Sequence, residues 1–351
     1  MENTKVCTRQ ICLFCAFILP LYKLVEAPSL LARYAKDDLL FPALAHFLVQ
    51  AGAVWLLLFL LSSKKRPLFD RVSGAGAKIL FGTLSVVYLL LAVIPLLDLE
   101  KFTYAIFYDT SPTLFSFAFF FIFSAYLCMR PPQIVGRIAD LSPFLSLAPF
   151  LLLIVMSLAE ADFSNLLPVF NYGFGHTVSA FKHTLPHFSD ALLLLPLLGN
   201  FEYKKGDTKK IVGAYTVGAF LTLLFLAVFF CLFSSIAPNE HYAFAKIAQY
   251  LPALAVVGRV DLVFVYILCV PLFFCTALPL FYSVQTANKV FANRARLPLV
   301  VGVNFGAFLF TLLCNRFYDK IYALFGNTLF FLFPLALVPA FLLFLFGRKK
   351  S

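Results

Sequence analysis

Residues 12–28 read Cys12-Leu13-Phe14-Cys15-Ala16-Phe17-Ile18-Leu19-Pro20-Leu21-Tyr22-Lys23-Leu24-Val25-Glu26-Ala27-Pro28. The run is apolar enough to enter a bilayer, yet it holds a lysine and a glutamate near its middle, bracketed by prolines. Each proline withdraws a backbone donor and disrupts the helix. Each charged side chain at the centre of a span costs about 2.5–3.5 kcal/mol on insertion scales. The stretch therefore predicts a broken helix whose freed carbonyls face a ligand. A second stretch repeats the pattern: Leu185-Pro186-His187-Phe188-Ser189-Asp190, then Ala191, four leucines and Pro196. His187 and Asp190, three residues apart, are expected on one helical face.

The rest of the chain sets these interruptions in a membrane. Of its 351 residues 62% are hydrophobic and only 13% charged, and the mean hydropathy is +0.92. That composition excludes an ordinary soluble globule and, with 45 phenylalanines, disorder. The net charge of +11 suits loops lying against an anionic leaflet. No basic stripe interleaved with aromatics lies outside the apolar runs, so no nucleic-acid partner is expected. Cys12 and Cys15 form a C-x-x-C without a second pair or a nearby histidine, and most of the eight cysteines sit in apolar runs as small hydrophobes. No metal and no cofactor are expected. There is no Walker A loop, nucleophile elbow or H-E-x-x-H, which disfavours an enzyme. Lys5 and Arg9 precede an apolar run as in a signal peptide, but no small-x-small cleavage site follows, so an uncleaved first helix is expected.

A bilayer-crossing helix needs about 20 mostly apolar residues. Ten segments qualify: 10–32, 40–62, 77–97, 112–129, 142–159, 184–200, 211–235, 259–287, 297–314 and 327–347. With the N-terminus inside, nineteen Lys/Arg fall on the cytoplasmic side and eight on the other, alternating loop by loop. This predicts one polytopic domain over 1–351 with both termini cytoplasmic. If it is two five-helix halves (about 9–159 and 184–347, joined by an outer loop at 160–183), spans one and six are equivalent. Charges and prolines at both point to a midplane site between repeats. The candidate ligand-binding residues are Lys23, Glu26, His187 and Asp190, with their neighbours Tyr22, Phe188 and Ser189, and Tyr88 from span three. The competing reading is plain neutralisation, Lys23 with Asp190 and Glu26 with Lys23 or His187. The outer connections 160–183 and 236–258 are long enough for short interfacial helices. Pro271 and Pro279 predict a kink in span eight, and Gly302-x-x-x-Gly306 a close helix contact.

Several pieces resemble a known family. Gln10 opens span one; Leu31-Ala32-Arg33-Tyr34-Ala35-Lys36-Asp37-Asp38 leads into span two; Ser111-Pro112 begins span four. Arg137-Ile138-Ala139-Asp140-Leu141-Ser142-Pro143 precedes span five, Leu166-Leu167-Pro168 with Gly173 lies in the outer loop, and Phe188-Ser189-Asp190 with Pro196 marks span six. In order and spacing these resemble the B subunits of spore germinant receptors, the GerAB family, within the amino acid–polyamine–organocation transporter superfamily. Span one departs from that superfamily, carrying Pro20-Leu21-Tyr22-Lys23 where small residues are usual. The resemblance implies an all-α, leucine-transporter-like fold of ten helices in a 5+5 inverted repeat with helices one and six broken. It implies a site for a small molecule such as an amino acid, and a chain that senses it and triggers germination. It also implies A-type and C-type receptor subunits as partners, in the inner membrane of a spore. Lys23 would attract a carboxylate, and Asp190 or Glu26 would receive an ammonium. The alternative is a proton- or ion-coupled amino acid permease with Glu26, His187 or Asp190 as carrier.

Overall fold

The computed structural model describes residues 6–62, 74–107, 113–251, 261–291 and 296–315, with single residues between and beyond these stretches. The expected tenth span, the Ser111-Pro112 start of span four and part of the charge pattern lie outside them.

The described residues are helical throughout, apart from connections and one isolated bridge between Val6 and Phe201. In chain order the helices are α1 (Thr8–Leu21), α2 (Ala27–Ala35), α3 (Leu40–Ser62), α4 (Ala75–Phe107), α5 (Thr113–Cys128), α6 (Gln133–Leu158), α7 (Phe174–Thr184), α8 (Asp190–Gly199), α9 (Asp207–Phe233), α10 (Ala243–Tyr250), α11 (Asp261–Val290) and α12 (Arg296–Asn315). Six are long and apolar enough to cross a bilayer: α3, α4, α6, α9, α11 and α12. Shorter apolar helices cover Thr8–Leu21 and Phe117–Cys128. Lipid cannot satisfy backbone polar groups, so such runs close their hydrogen bonds within the helix. Leu48, Trp55 and Phe59 of α3, Phe119 and Ile122 of α5, and Val301, Phe305 and Leu313 of α12 face outward, as lipid-facing surfaces require. The chain is a multi-pass membrane protein.

Two rods are interrupted. The first is α1–α2, broken over Tyr22–Glu26; the second is α7–α8, broken by a 3-10 turn at Leu185–Phe188 and by Ser189. The second rod is longer than the sequence suggests. Residues 160–183 read as an outer connection, but their last part forms α7, which runs directly into the break and packs on α2. The inner half, α8, is buried at all ten of its residues, so a helix apolar on every side occupies the centre of the bundle.

Prolines explain two wide turns. Pro20 offers no N–H to the carbonyl four residues back, and the backbone relaxes into a π-turn over Phe14–Ile18. Pro149 stands in the same register to the π-turn over Pro143–Leu147 of α6, and just ahead of that turn the Ser142 hydroxyl donates at 2.8 Å to the Ala139 carbonyl that Pro143 leaves unclaimed. Gly218 of α9 lies against the first π-turn so closely that a Cβ there would strike the Cys15 carbonyl. By contrast, a Cβ on Gly302 or Gly306 would meet no described atom within 4 Å, so the expected close contact is not made by the described helices. α11 continues unbroken through Pro271 and Pro279.

Candidate functional site

The broken rods meet at the centre, and their loose backbone groups can be followed one by one. In the first break the Leu19 carbonyl accepts from Lys23 Nζ at 3.0 Å, and the Ile18 carbonyl lies 3.6 Å from the Cys275 thiol of α11. The carbonyls of Leu24 and Val25 accept the backbone N–H groups of Phe244 (3.2 Å) and Ala243 (3.0 Å), at the start of α10. The outer connection therefore seals the break with its own backbone, which meets the demand that buried polar groups be paired. These four carbonyls are each engaged within the protein.

The second break is closed in the same way. Gln50 of α3 accepts the Ala191 N–H at 3.0 Å, at the uncapped first turn of α8. Pro196 cannot donate to the Leu192 carbonyl, and Tyr88 of α4 supplies the missing hydrogen bond at 2.9 Å. The Ser189 hydroxyl turns back to the Pro186 carbonyl at 3.2 Å. Tyr88 and Ser189, both expected to touch ligand, thus hold the broken backbone.

Lys23 and Asp190 join the two rods. Lys23 Nζ lies 2.5 Å from Asp190 Oδ1, and both side chains are only 1% exposed. The other carboxylate oxygen of Asp190 accepts the Tyr215 hydroxyl of α9 at 2.7 Å. An ammonium has three protons; Asp190 and Leu19 take two. The rings of Phe188 and Phe47 stand 5.5 and 5.8 Å from the nitrogen, within cation–π range. Phe188 is in turn stacked on His46, which hydrogen-bonds Thr184 at 3.0 Å. Of the pairings foreseen for Lys23, the one with Asp190 is realised. Neither group lines the cavity described next.

That cavity is a hollow of about 30 Å³, lined by Tyr22, Val25, Glu26, Pro95, Asp98, Leu99, Phe102, His187, Leu272 and Thr276. It has room for about two water-sized centres. Three expected site residues reach it: Tyr22, Glu26 and His187. Glu26 pairs not with Lys23 or His187 but with the half-exposed His241 of the outer connection, at 3.2 Å. The Phe188–Ser189 break separates His187 from Asp190, so the two do not share a helical face: one joins the hollow and the other the ion pair. Asp98 is the residue that sequence reading missed. Its Oδ1 accepts the Tyr318 hydroxyl at 3.2 Å. The apolar run ends at residue 97, whereas α4 continues to Phe107 and keeps Asp98 inside the bundle. An acidic residue between Leu97 and Leu99 was the available signal.

A family match covers residues 44–317 and carries the description spore germination protein, of the spore permease family. The chain belongs to the spore germination protein family. The spore permeases are a transporter- or receptor-like membrane family, and the match runs from α3 through α12. It therefore takes in Asp98, His187 and Asp190, and extends well past Pro196, where the motif resemblance ends. The first broken rod of this spore permease, with Lys23 and Glu26, precedes the matched stretch. No curated protein matches the chain.

Proposed function

We propose that this spore germination protein is the membrane-embedded B subunit of a germinant receptor. It senses a small nutrient in the hollow between the two broken rods. The observation that carries the reading is that Tyr22, Glu26 and His187, from both breaks, converge with Asp98 on one hollow within a germination-family bundle. Ten spans in two inverted halves, both termini cytoplasmic, would place the hollow toward the outer side, under the connection that bears His241. A-type and C-type subunits in the spore inner membrane would read the change. Binding in the hollow would favour one arrangement of the rods over another, and only differential affinity for the two arrangements can move that balance.

A sensing role, as opposed to turnover, is favoured by the buried Lys23–Asp190 pair that joins the two rods. Spores carrying Glu26→Gln or Asp98→Asn at normal protein levels should lose nutrient-triggered germination while still germinating with a receptor-independent trigger. A normal nutrient response in both would remove the hollow from the mechanism. Uptake into proteoliposomes containing this chain alone tests the permease reading. Gradient-driven accumulation of labelled nutrient without partner subunits would replace sensing with transport.

A further inference from the structure

We infer that the hollow recognises its ligand as a compact amine, through the ammonium group alone, with no provision for a carboxylate. This rests on the hollow being the ligand site and names the class of ligand it takes. Two carboxylates, Glu26 and Asp98, line the space, at 5% and 7% exposure. Each uses one oxygen on a neighbour, Glu26 Oε2 on His241 and Asp98 Oδ1 on Tyr318. Among the described residues, Glu26 Oε1 and Asp98 Oδ2 have no hydrogen-bond partner. Each carboxylate keeps an oxygen for a further donor, and two carboxylates lining one space repel each other. A cationic donor placed between them removes that repulsion.

The nearby cations do not serve a carboxylate. Lys23 is committed to Asp190 and Leu19, outside the hollow. Lys101 lies over the Tyr318 ring, 3.3 Å from its centroid. His241 sits on the rim against Glu26, and His187 shares the lining with both carboxylates. Val25, Pro95, Leu99, Phe102 and Leu272 complete an apolar wall suited to a short hydrocarbon tail. At about 30 Å³ the hollow has room for an ammonium head on a short tail. An amino acid would bring a carboxylate toward two others.

The test uses the purified full-length chain in nanodiscs, with melting temperature and calorimetric titration as readouts. Methylammonium and ethylammonium chloride should bind and raise the melting temperature, whereas propionate should not. Glu26→Gln and Asp98→Asn should each weaken ethylammonium binding by roughly ten- to a hundredfold, the value of a hydrogen bond to a charged group. Glu26→Asp keeps the charge and should retain most of the affinity; all variants are checked for a native elution profile. Sodium or potassium chloride producing the same shift at equal concentration, in competition with the amine, would make this an inorganic cation site and overturn the inference. Binding of L-alanine but not ethylammonium, lost in Glu26→Gln, would overturn it while leaving the hollow as the ligand site. No binding by either compound would overturn both.

Discussion

Replacing Lys23 by methionine tests whether the central ion pair clamps the rods. The substitution keeps most of the stem volume and removes the charge. Asp190 then remains at 1% exposure with Tyr215 as its one side-chain donor among the described residues, its Oδ1 facing an apolar side chain. Leaving one member of a buried pair uncompensated costs about 3–5 kcal/mol. The Leu19 carbonyl loses its donor as well, adding about 1–3 kcal/mol for a buried unsatisfied group. Asp190→Asn leaves the Lys23 ammonium buried without its carboxylate and should cost a similar amount. The double variant Lys23→Met/Asp190→Asn leaves no unpaired charge. It should recover most of the loss and be clearly more stable than Lys23→Met alone. Thermal aggregation followed by size-exclusion in a mild detergent ranks the four proteins without requiring reversible unfolding. If Lys23→Met melts with the wild type, or the double variant is less stable than either single one, the pair does not hold the rods together.

Further substitutions probe the seals on the breaks. Tyr88→Phe orphans the Leu192 carbonyl opposite Pro196 and should cost about 1–3 kcal/mol in the same melting assay, with no change in fold by circular dichroism. Gln50→Leu removes the acceptor of the Ala191 N–H and should cost a similar amount. Gly218→Ala forces a Cβ against the Cys15 carbonyl, a backbone atom that cannot rotate away; a loss of about 1–3 kcal/mol or poor membrane yield is expected. Ala243→Pro deletes the donor to Val25 and is incompatible with the left-handed Tyr242 before it (φ 61°), so it should loosen α10 and raise protease nicking there.

Hydropathy made the helices legible, and the prolines made both breaks legible, because each acts within a few residues of itself. The Lys23–Asp190 pairing was accessible by charge balance alone. What escaped depended on distant parts of the chain. The carbonyls of Leu24 and Val25 look free in the sequence, and their donors arrive from residues more than two hundred positions away. The partner of Glu26 is a loop histidine at a separation of 215. The facing of His187 and Asp190 failed for a local reason: helical spacing was applied across a turn where the helix does not continue. Asp98 was lost because a hydropathy window ends a span at its first charge, whereas the helix ends only where its backbone bonding does.

The two polar centres are arranged to be mechanically inseparable. Tyr22 lines the hollow and Lys23, its neighbour, makes the ion pair; His187 lines the hollow and Asp190, three residues on, completes that pair. All four residues sit at or beside the breaks, Tyr22–Glu26 in the first rod and the 3-10 turn with Ser189 in the second, where the α-helical ladder is interrupted. Closing the hollow around a ligand therefore acts on the same backbone that sets the distance between ammonium and carboxylate. A buried pair tolerates little drift: in a medium of low dielectric its attraction falls steeply, and each separated charge must find another partner or water. The pair consequently resists gradual deformation and favours two discrete arrangements, joined or parted. Under the proposed sensing role, the ligand need supply only the difference between them. In that role the clamp would convert a contact made by a few atoms into a choice between two positions of whole helices.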